Sequence, residues 1–228
     1  MGKILFNKLS YTYLAFCIIS IGIVFITGNL LNFMMGFNVG LAYIPVLLIG
    51  IINYSLKQTD YKLDWKSMIL VVLFILFFPN SFYVITDLIH LDKSLFINYN
   101  VYTDTVSYLH NFKAYLGMFH IAFTLLFGVY AGVLSMDLFI KVLKKFNYKE
   151  LTNQIIIFLL VFSSSVAIYI GRFLRFFSWE AFNIMKILRE LINRFGLFMF
   201  LFIVMFIIVQ YLCYYLYKGI LKVAKNNS

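Results

Sequence analysis

Charge is what this sequence has least of. Only 12% of its 228 residues are Asp, Glu, Lys or Arg, whereas a soluble globular domain carries about 25%. Hydrophobic residues make up 63% of the chain and aromatic residues 20%. Because a chain with so little polar surface cannot cover itself in water, the composition excludes an ordinary soluble domain and predicts an integral membrane protein.

Cysteine and the common motifs of catalysis are also scarce. The two cysteines, Cys17 and Cys213, lie in apolar runs without C-x-x-C spacing, as small buried hydrophobic residues do. The sequence has no Gly-rich phosphate loop, no serine nucleophile elbow and no internal repeat. No nucleic-acid-binding motif accompanies the net charge of +10. We therefore expect no cofactor and no nucleic-acid partner; the expected partners are membrane lipids or another membrane protein.

Long runs without charge dominate the chain. No charged residue lies between Lys8 and Lys57, for example. Since a helix needs roughly 20 apolar residues to cross the hydrocarbon core, these runs predict an all-α transmembrane bundle that forms one domain over residues 1–228. The predicted helices are 11–29, 38–56, 67–89, 112–136, 153–175 and 195–217.

The first apolar run follows Lys3 and Lys8, as the core of a signal peptide would. However, the run continues into Ile26–Leu31 without the small-residue cleavage site that follows such a peptide. We therefore expect the first helix to be retained as a membrane span.

Positive charge predicts the orientation, because cytoplasmic segments of membrane proteins collect Lys and Arg. With both termini inside, the inner segments carry 12 of the 19 positive residues. The first outer turn, expected near residues 29–38, carries none. The abundance of Phe, Ile, Lys, Asn and Tyr is typical of an AT-rich bacterial genome, so we expect a multi-pass protein of a bacterial plasma membrane.

The arginines are separated from the lysines. All four arginines of the chain lie between Arg172 and Arg194, on the predicted outer side, and every inner positive residue is Lys. Arginine differs from lysine by a planar fork that holds a carboxylate or a phosphate through two hydrogen bonds. This separation indicates either an anion-binding site on the outer side or ion pairs with acidic residues and lipid phosphates.

A polar motif ends the third predicted helix. The stretch PNSFYVITDLIHLD begins at Pro79, which is expected to kink the helix because it lacks a backbone N–H. Polar residues spaced at i, i+3, i+7 and i+10 fall on one helical face. They are Asn80, Tyr83, Asp87 and His90. Facing lipid would cost several kcal/mol, so we expect this face to point inward at the outer mouth of the bundle.

A basic motif ends the fifth predicted helix, in YIGRFLRFFSWE. Arg172, Arg175 and Trp179 have the spacing i, i+3, i+7, and Gly171 permits close approach of another helix. Both motifs end on the predicted outer side. We therefore expect Asp87 to pair with Arg172 or Arg175, or the two motifs to share a ligand-binding site.

The two motifs resemble those of an uncharacterised family of bacterial integral membrane proteins, known as domain of unknown function 1361, over most of the chain. The resemblance supports the fold and the choice of residues, and it implies no activity. Phe177 and Glu180 stand where relatives carry Asn and Asp. The matching residues are Pro79, Asn80, Phe82, Tyr83, Thr86, Asp87, His90 and Leu91, then Gly171, Arg172, Phe173, Arg175, Ser178 and Trp179.

Two further kinds of chemistry are open to these residues. Asp87, His90 and His110 are a weak candidate set for zinc or another divalent ion, although no H-E-x-x-H motif is present. Asp87 and His90 are also candidates for a proton relay, since histidine titrates near neutral pH.

The segment between the second motif and the last span, SWEAFNIMKILRELIN over residues 178–193, has one apolar and one polar face. This pattern predicts an amphipathic helix in the outer interface, acting as a connector or as a lid over the mouth.

The sequence supports three functions. The first is binding or transport of an anionic solute or lipid headgroup by Asn80, Tyr83, Asp87, His90, Arg172, Arg175, Ser178 and Trp179. The second is an outer-leaflet enzyme that acts on a phosphate-bearing lipid, with Asp87 or His90 as general base. The third is an accessory subunit whose polar motifs only hold its helices together.

Overall fold

The structure, a computed structural model, describes residues 7–100, 105–174 and 184–226. The α-helices among these residues are α1 (Lys8–Thr27), α2 (Leu31–Gln58), α3 (Trp65–Tyr83), α4 (Phe112–Leu143), α5 (Glu150–Tyr169), α6 (Ile184–Asn193) and α7 (Leu197–Asn226). Other helical turns are the 3-10 segments Val84–His90, Lys93–Leu95 and Lys144–Phe146 and the π-helical segment Ile170–Leu174. Two short strands, β1 (Ile97–Asn100) and β2 (Thr105–Tyr108), complete the described elements.

Six of these helical stretches are long and apolar enough to cross a membrane: those built on α1 to α5 and on α7. The predicted all-α polytopic bundle is confirmed. The amphipathic α6 forms where a helix was predicted, within residues 178–193. Many large apolar side chains on the outer surface are exposed, among them Phe25, Ile69 and Leu126, as expected for a surface that meets lipid.

The turn between α1 and α2 is shorter than predicted. Gly28 adopts the left-handed conformation that ends a helix, with φ 70°, and its N–H donates to the Val24 carbonyl. Asn29 then accepts from the Leu31 N–H at 2.9 Å. The prediction that α2 starts at residue 38 is therefore wrong. Asn38 lies inside α2, and its side-chain amide finds a hydrogen-bond partner within the bundle.

Helix α2 is the centre of the bundle and packs against α1, α3 and α4, while α5 packs against α3 and α7. The largest core cluster includes Phe74, Phe78 and Phe82 of α3, all with no exposed surface, and Met136 of α4. Since lipid is as apolar as these side chains, close van der Waals packing and not removal from water is what their burial contributes. This packing fixes α3 between α2 and α4 and so sets the position of the polar motif that follows it.

Two glycines bring α4 close to α3. A Cβ at Gly128 would collide with the Val84 side chain and lie 2.9 Å from the Ser81 carbonyl oxygen. A Cβ at Gly132 would lie 2.5 Å from the Phe82 ring. The spacing Gly-x-x-x-Gly is the small-residue pattern that lets membrane helices approach each other, and it was not recognised in the sequence.

The connection between α2 and α3 ends in a helix cap. The Asp64 carboxylate accepts from the Ser67 N–H at 2.9 Å, as an N-cap residue does. The Ser67 hydroxyl and N–H together hold the pKa of Asp64 below its usual value. This cap fixes the start of α3 in a segment that carries Lys62 and Lys66.

The segment between α3 and α4 forms a small antiparallel hairpin, with Ile97 opposite Tyr108 and Asn100 opposite Thr105. The Phe96 ring packs edge-on against Tyr115 at the start of α4, with 5.3 Å between the ring centroids. No strand was predicted here, because strands of four residues are too short for an alternating pattern to stand out.

Candidate functional site

The two polar motifs meet where their helices depart from α geometry. After Tyr83 the chain tightens into a 3-10 helix, and after Tyr169 α5 widens into a π-helical turn. Such turns change the direction of the side chains they carry, and π-helical turns are frequent at functional sites. Asp87 and Arg172 both lie about twenty residues from the far ends of α3 and α5, or about 30 Å along a helix, so the meeting point lies near one boundary of the hydrocarbon core. We call this end of the bundle the Asp87 end.

A buried ion pair joins the motifs. Arg172 Nη2 lies 2.8 Å from Asp87 Oδ1. The Asp87 residue is only 4% exposed, and the Arg172 side chain is 16% exposed. The predicted pairing of Asp87 with Arg172 is confirmed.

A third helix contributes a residue that the sequence analysis missed. Asn38 of α2 donates from Nδ2 to Asp87 Oδ2 at 3.0 Å, so both carboxylate oxygens are engaged. The signal that could have found Asn38 is an amide in a long charge-free run, because a polar side chain at that depth needs a partner. The Asp87 cluster therefore draws side chains from α2, from the turn after α3 and from the π-helical turn.

Tyr83 and Thr86 also contact the Arg172 guanidinium. Arg172 Nη2 also donates to Thr86 Oγ1, and that hydroxyl donates to the Tyr83 carbonyl at 2.6 Å. The Arg172 Cζ atom lies 5.0 Å from the centroid of the Tyr83 ring, within the range of a cation–π contact. A Cβ at Gly171 would lie 3.3 Å from this ring, which explains why a glycine precedes the arginine.

One donor of Arg172 is left over. Its Nε atom is buried and has no hydrogen-bond partner within the described residues. Leaving a buried donor without a partner costs about 1–3 kcal/mol, and more for a charged group. The contacts within the Asp87 cluster therefore leave the Nε–H of Arg172 without an acceptor, and this buried donor calls for an explanation.

Other predicted residues lie apart from this cluster. Asn80 is half-buried, and its amide donates to the Phe77 carbonyl of its own helix at 3.1 Å. His90 is exposed. Side chains three residues apart align in a 3-10 helix, so His90 stands on the same side as Asp87 but one turn beyond it, at an exposed position. Its predicted part in the site stays a prediction.

The structure does not assemble the weak metal site. His110 is exposed and precedes the start of α4. Across the described ranges, no three His, Cys, Asp or Glu side chains lie close enough together to hold a metal ion. Three other predicted ligand residues, Arg175, Ser178 and Trp179, lie outside the described residues, and their part in the site stays a prediction.

A second buried polar cluster lies between α1, α2 and α4. His120 is 2% exposed and donates from Nδ1 to the Asn32 amide oxygen at 2.8 Å, since that oxygen can only accept. Its Nε2 lies 2.8 Å from the Ser20 hydroxyl. Asn32 in turn donates to Thr27 Oγ1 at 2.9 Å. This chain of hydrogen bonds ties three helices together.

Replacing His120 by Leu is therefore expected to lower the free energy of unfolding by about 1–2 kcal/mol, because the Asn32 oxygen loses its donor in a buried place. The measurement is the Tm of the detergent-solubilised protein. His110→Leu is the matched control, since that side chain is exposed, and it should leave the Tm unchanged. Equal shifts for the two variants would contradict a role of His120 in packing.

The opposite end of the bundle has its own ion cluster, and we call it the Asp137 end. Asp137 of α4 is 1% exposed. Its carboxylate lies 2.7 Å from Lys141 Nζ and 3.0 Å from Lys218 Nζ of α7. This contact joins α4 to α7 and gives a partner to an aspartate that lies inside α4, one residue beyond the predicted end of that helix. The sequence analysis had left Asp137 without a role.

Comparison with known proteins identifies the family but no activity. No curated protein and no solved structure matches the chain significantly. The family model described as protein of unknown function (DUF1361) matches residues 37–213, a range that includes Asn38, Asp87 and Arg172. The chain belongs to the DUF1361 family of proteins of unknown function.

Proposed function

We propose that the Asp87 end binds an anionic group, a phosphate or a carboxylate, that belongs to a lipid headgroup or to a solute. The observation that carries the proposal is the buried Nε–H of Arg172, which has no acceptor within the described residues. An anionic oxygen is the partner that a guanidinium N–H binds most strongly. The Arg172 side chain as a whole is 16% exposed, whereas Nε itself is covered, so an anion that arrives at the exposed part reaches Nε only when the packing around it opens.

The neighbours of Arg172 support this function. Asp87 and Thr86 both accept from Nη2, so they hold the guanidinium in one orientation, and the Tyr83 ring covers one face of it. An arginine held in this way needs little reordering when a ligand binds, which favours affinity. The cluster also lies near the boundary of the hydrocarbon core, at the depth of lipid phosphates and ester groups.

Transport would follow from the same arrangement. It needs a second step, in which the anion bound at Nε also takes Nη2 from Asp87, the residue that joins the π-helical turn to α2 through Asn38. Binding would therefore weaken a contact between helices, and a change in helix packing is what moves a bound group across a membrane. Binding without transport requires only the first step.

Arg172→Lys is expected to weaken binding of the anion about tenfold, because lysine keeps the charge and loses the Nε–H and the planar fork. The measurement is the dissociation constant of the detergent-solubilised protein for short-chain phosphatidylglycerol in the same detergent and, separately, for inorganic phosphate. Short-chain phosphatidylcholine gives the baseline. Weakening with phosphatidylglycerol alone identifies a lipid headgroup, and weakening with both probes identifies the anion itself.

Two control variants separate the site from general charge. Arg194→Lys makes the same change at an exposed arginine that pairs with Glu190, and Lys145→Ala removes a positive charge from the Asp137 end. Neither should change the dissociation constant by more than about twofold, since exposed charges contribute little. Equal weakening by all three variants would refute the site at Arg172.

A specific observation also favours the accessory role. Both Asp87 oxygens have partners, as expected if the cluster only locks three helices together. The enzymatic alternative gains no such support, because Asp87 is buried and paired with Arg172 and Asn38. Lipid profiling of a deletion strain, with and without an Asp87→Asn copy, separates the roles. A changed lipid profile that only the unaltered copy restores would favour lipid chemistry or lipid transport.

A further inference from the structure

A cavity opens at the Asp137 end of the bundle, between α4, α5 and α7. Its volume is about 570 Å³, which lies in the range of sites that hold small ligands or part of a lipid. One wall is apolar and includes Met136, Ile140 and Ile157. Glu150, Asn153 and Tyr214 are among the polar residues that line the rest. The cavity is therefore amphipathic, and it lies at the far end of the protein from the Asp87 cluster.

Asn153, which lines this cavity, carries a buried acceptor that lacks a donor. Asn153 is 5% exposed, and its amide nitrogen donates to the Tyr148 carbonyl at 3.5 Å. The amide oxygen Oδ1 is buried and receives no hydrogen bond from residues 7–100, 105–174 or 184–226. Because an amide oxygen can only accept, a ligand that completes this site must carry an N–H or O–H donor.

The charged residues around Asn153 indicate which kind of ligand the cavity can bind. Glu150 lies one helical turn before Asn153 on α5, so its carboxylate stands on the same face of that helix. Lys144 lines the cavity from the end of α4. Neither side chain forms an ion pair with another described residue. One negative and one positive group are thus available to the same ligand.

We propose that this cavity binds a phospholipid whose headgroup carries a primary ammonium, as in phosphatidylethanolamine. The ammonium donates to Asn153 Oδ1 and lies beside the Glu150 carboxylate, while the lipid phosphate meets Lys144. An acyl chain lies along Met136, Ile140 and Ile157. In the predicted orientation this is the cytoplasmic leaflet. The site is independent of the anion site at Arg172, and each can fail without the other.

Phosphatidylcholine provides the comparison, because it has the same charges but its trimethylated ammonium has no N–H to donate. The unaltered protein, reconstituted in an equal mixture of the two lipids and then released into detergent, is expected to retain phosphatidylethanolamine about tenfold more than phosphatidylcholine. Native mass spectrometry measures the retained lipid. Asn153→Leu should reduce this preference to about one, whereas Asn153→Asp keeps an acceptor oxygen and should preserve it.

Two further variants make the result decisive. Glu150→Gln changes an exposed residue in the first turn of α5, so it tests the ammonium site even if Asn153→Leu does not fold, and it should reduce the preference several-fold. Thr152→Val is the matched control, because it removes a polar group from the same turn at an exposed position that does not line the cavity. Equal retention of both lipids by the unaltered protein would overturn the proposal. So would a preference that survives both Asn153→Leu and Glu150→Gln.

Discussion

Asp87→Ala is expected to lower the free energy of unfolding by about 3–5 kcal/mol, because it leaves the Arg172 guanidinium buried without its counter-charge. Arg172 Nη2 would lose the carboxylate at 2.8 Å, and Asn38 would lose the acceptor of its amide N–H. The contact between the π-helical turn of α5 and helix α2 depends on this carboxylate. The measurement is the Tm and the monodispersity of the protein in detergent, and we expect a large loss in both.

The double variant Asp87→Leu/Arg172→Met separates the ion pair from packing in general. It replaces both charges by apolar groups of similar volume, a change that is often nearly neutral for a buried pair. The double variant should therefore be more stable than Asp87→Ala. Asp92→Ala is the matched control, because Asp92 is exposed and caps only the short 3-10 segment that follows it. A double variant as unstable as Asp87→Ala would show that the charges do not stabilise each other.

Composition and charge spacing were enough to predict the bundle, because crossing a membrane imposes a length and an apolar character that the sequence displays directly. Together with the helical spacing of the two motifs, they led to the expectation that Asp87 pairs with Arg172 or Arg175, and the pair with Arg172 is the one observed. When two spans run in the same direction and carry opposite charges at the same end, each charge has few other partners within the membrane. Both inferences depend on the cost of burying charge, which does not require knowledge of the fold.

The detailed geometry of the cluster could not be predicted in the same way. The helical-face argument assumed 3.6 residues per turn, whereas the chain changes to a 3-10 helix after Tyr83 and to a π-helix after Tyr169. A 3-10 turn and a π-helical turn have other periods than an α-helix, so the relative positions of Asp87 and Arg172 could not be obtained from a single helical period.

Asn38 was missed for a related reason. Asparagine is common in turns, and the run around Asn29, Asn32 and Asn38 resembles one, so the second helix was predicted to begin too late. In the structure Asn32 and Asn38 instead donate to side chains within the bundle. Only the three-dimensional contacts distinguish an asparagine of a turn from an asparagine that pairs with a buried polar group.

The spacing of small residues on α4 is the other feature that the sequence analysis passed over, and it gives the second large effect. Gly128→Ala is expected to destabilise the protein by about 1–3 kcal/mol or more, because overpacking forces side chains and backbone apart. The new Cβ would collide with the Val84 side chain, which has no exposed surface, and would lie 2.9 Å from the Ser81 carbonyl oxygen. A backbone atom cannot rotate away, so α3 itself would have to move.

This displacement should reach the Asp87 cluster, the proposed anion site. Val84 is the first residue of the 3-10 segment that carries Asp87, so Gly128→Ala should weaken anion binding as well as lower the Tm in detergent. Gly117→Ala is the matched control on the same helix, because a Cβ at Gly117 meets nothing within 4 Å. Alanine at an open helical position is favoured over glycine by about 0.5–1 kcal/mol, so Gly117→Ala should keep or raise the Tm. If Gly128→Ala is as stable as Gly117→Ala, then α3 and α4 are not in the close contact that positions Asp87.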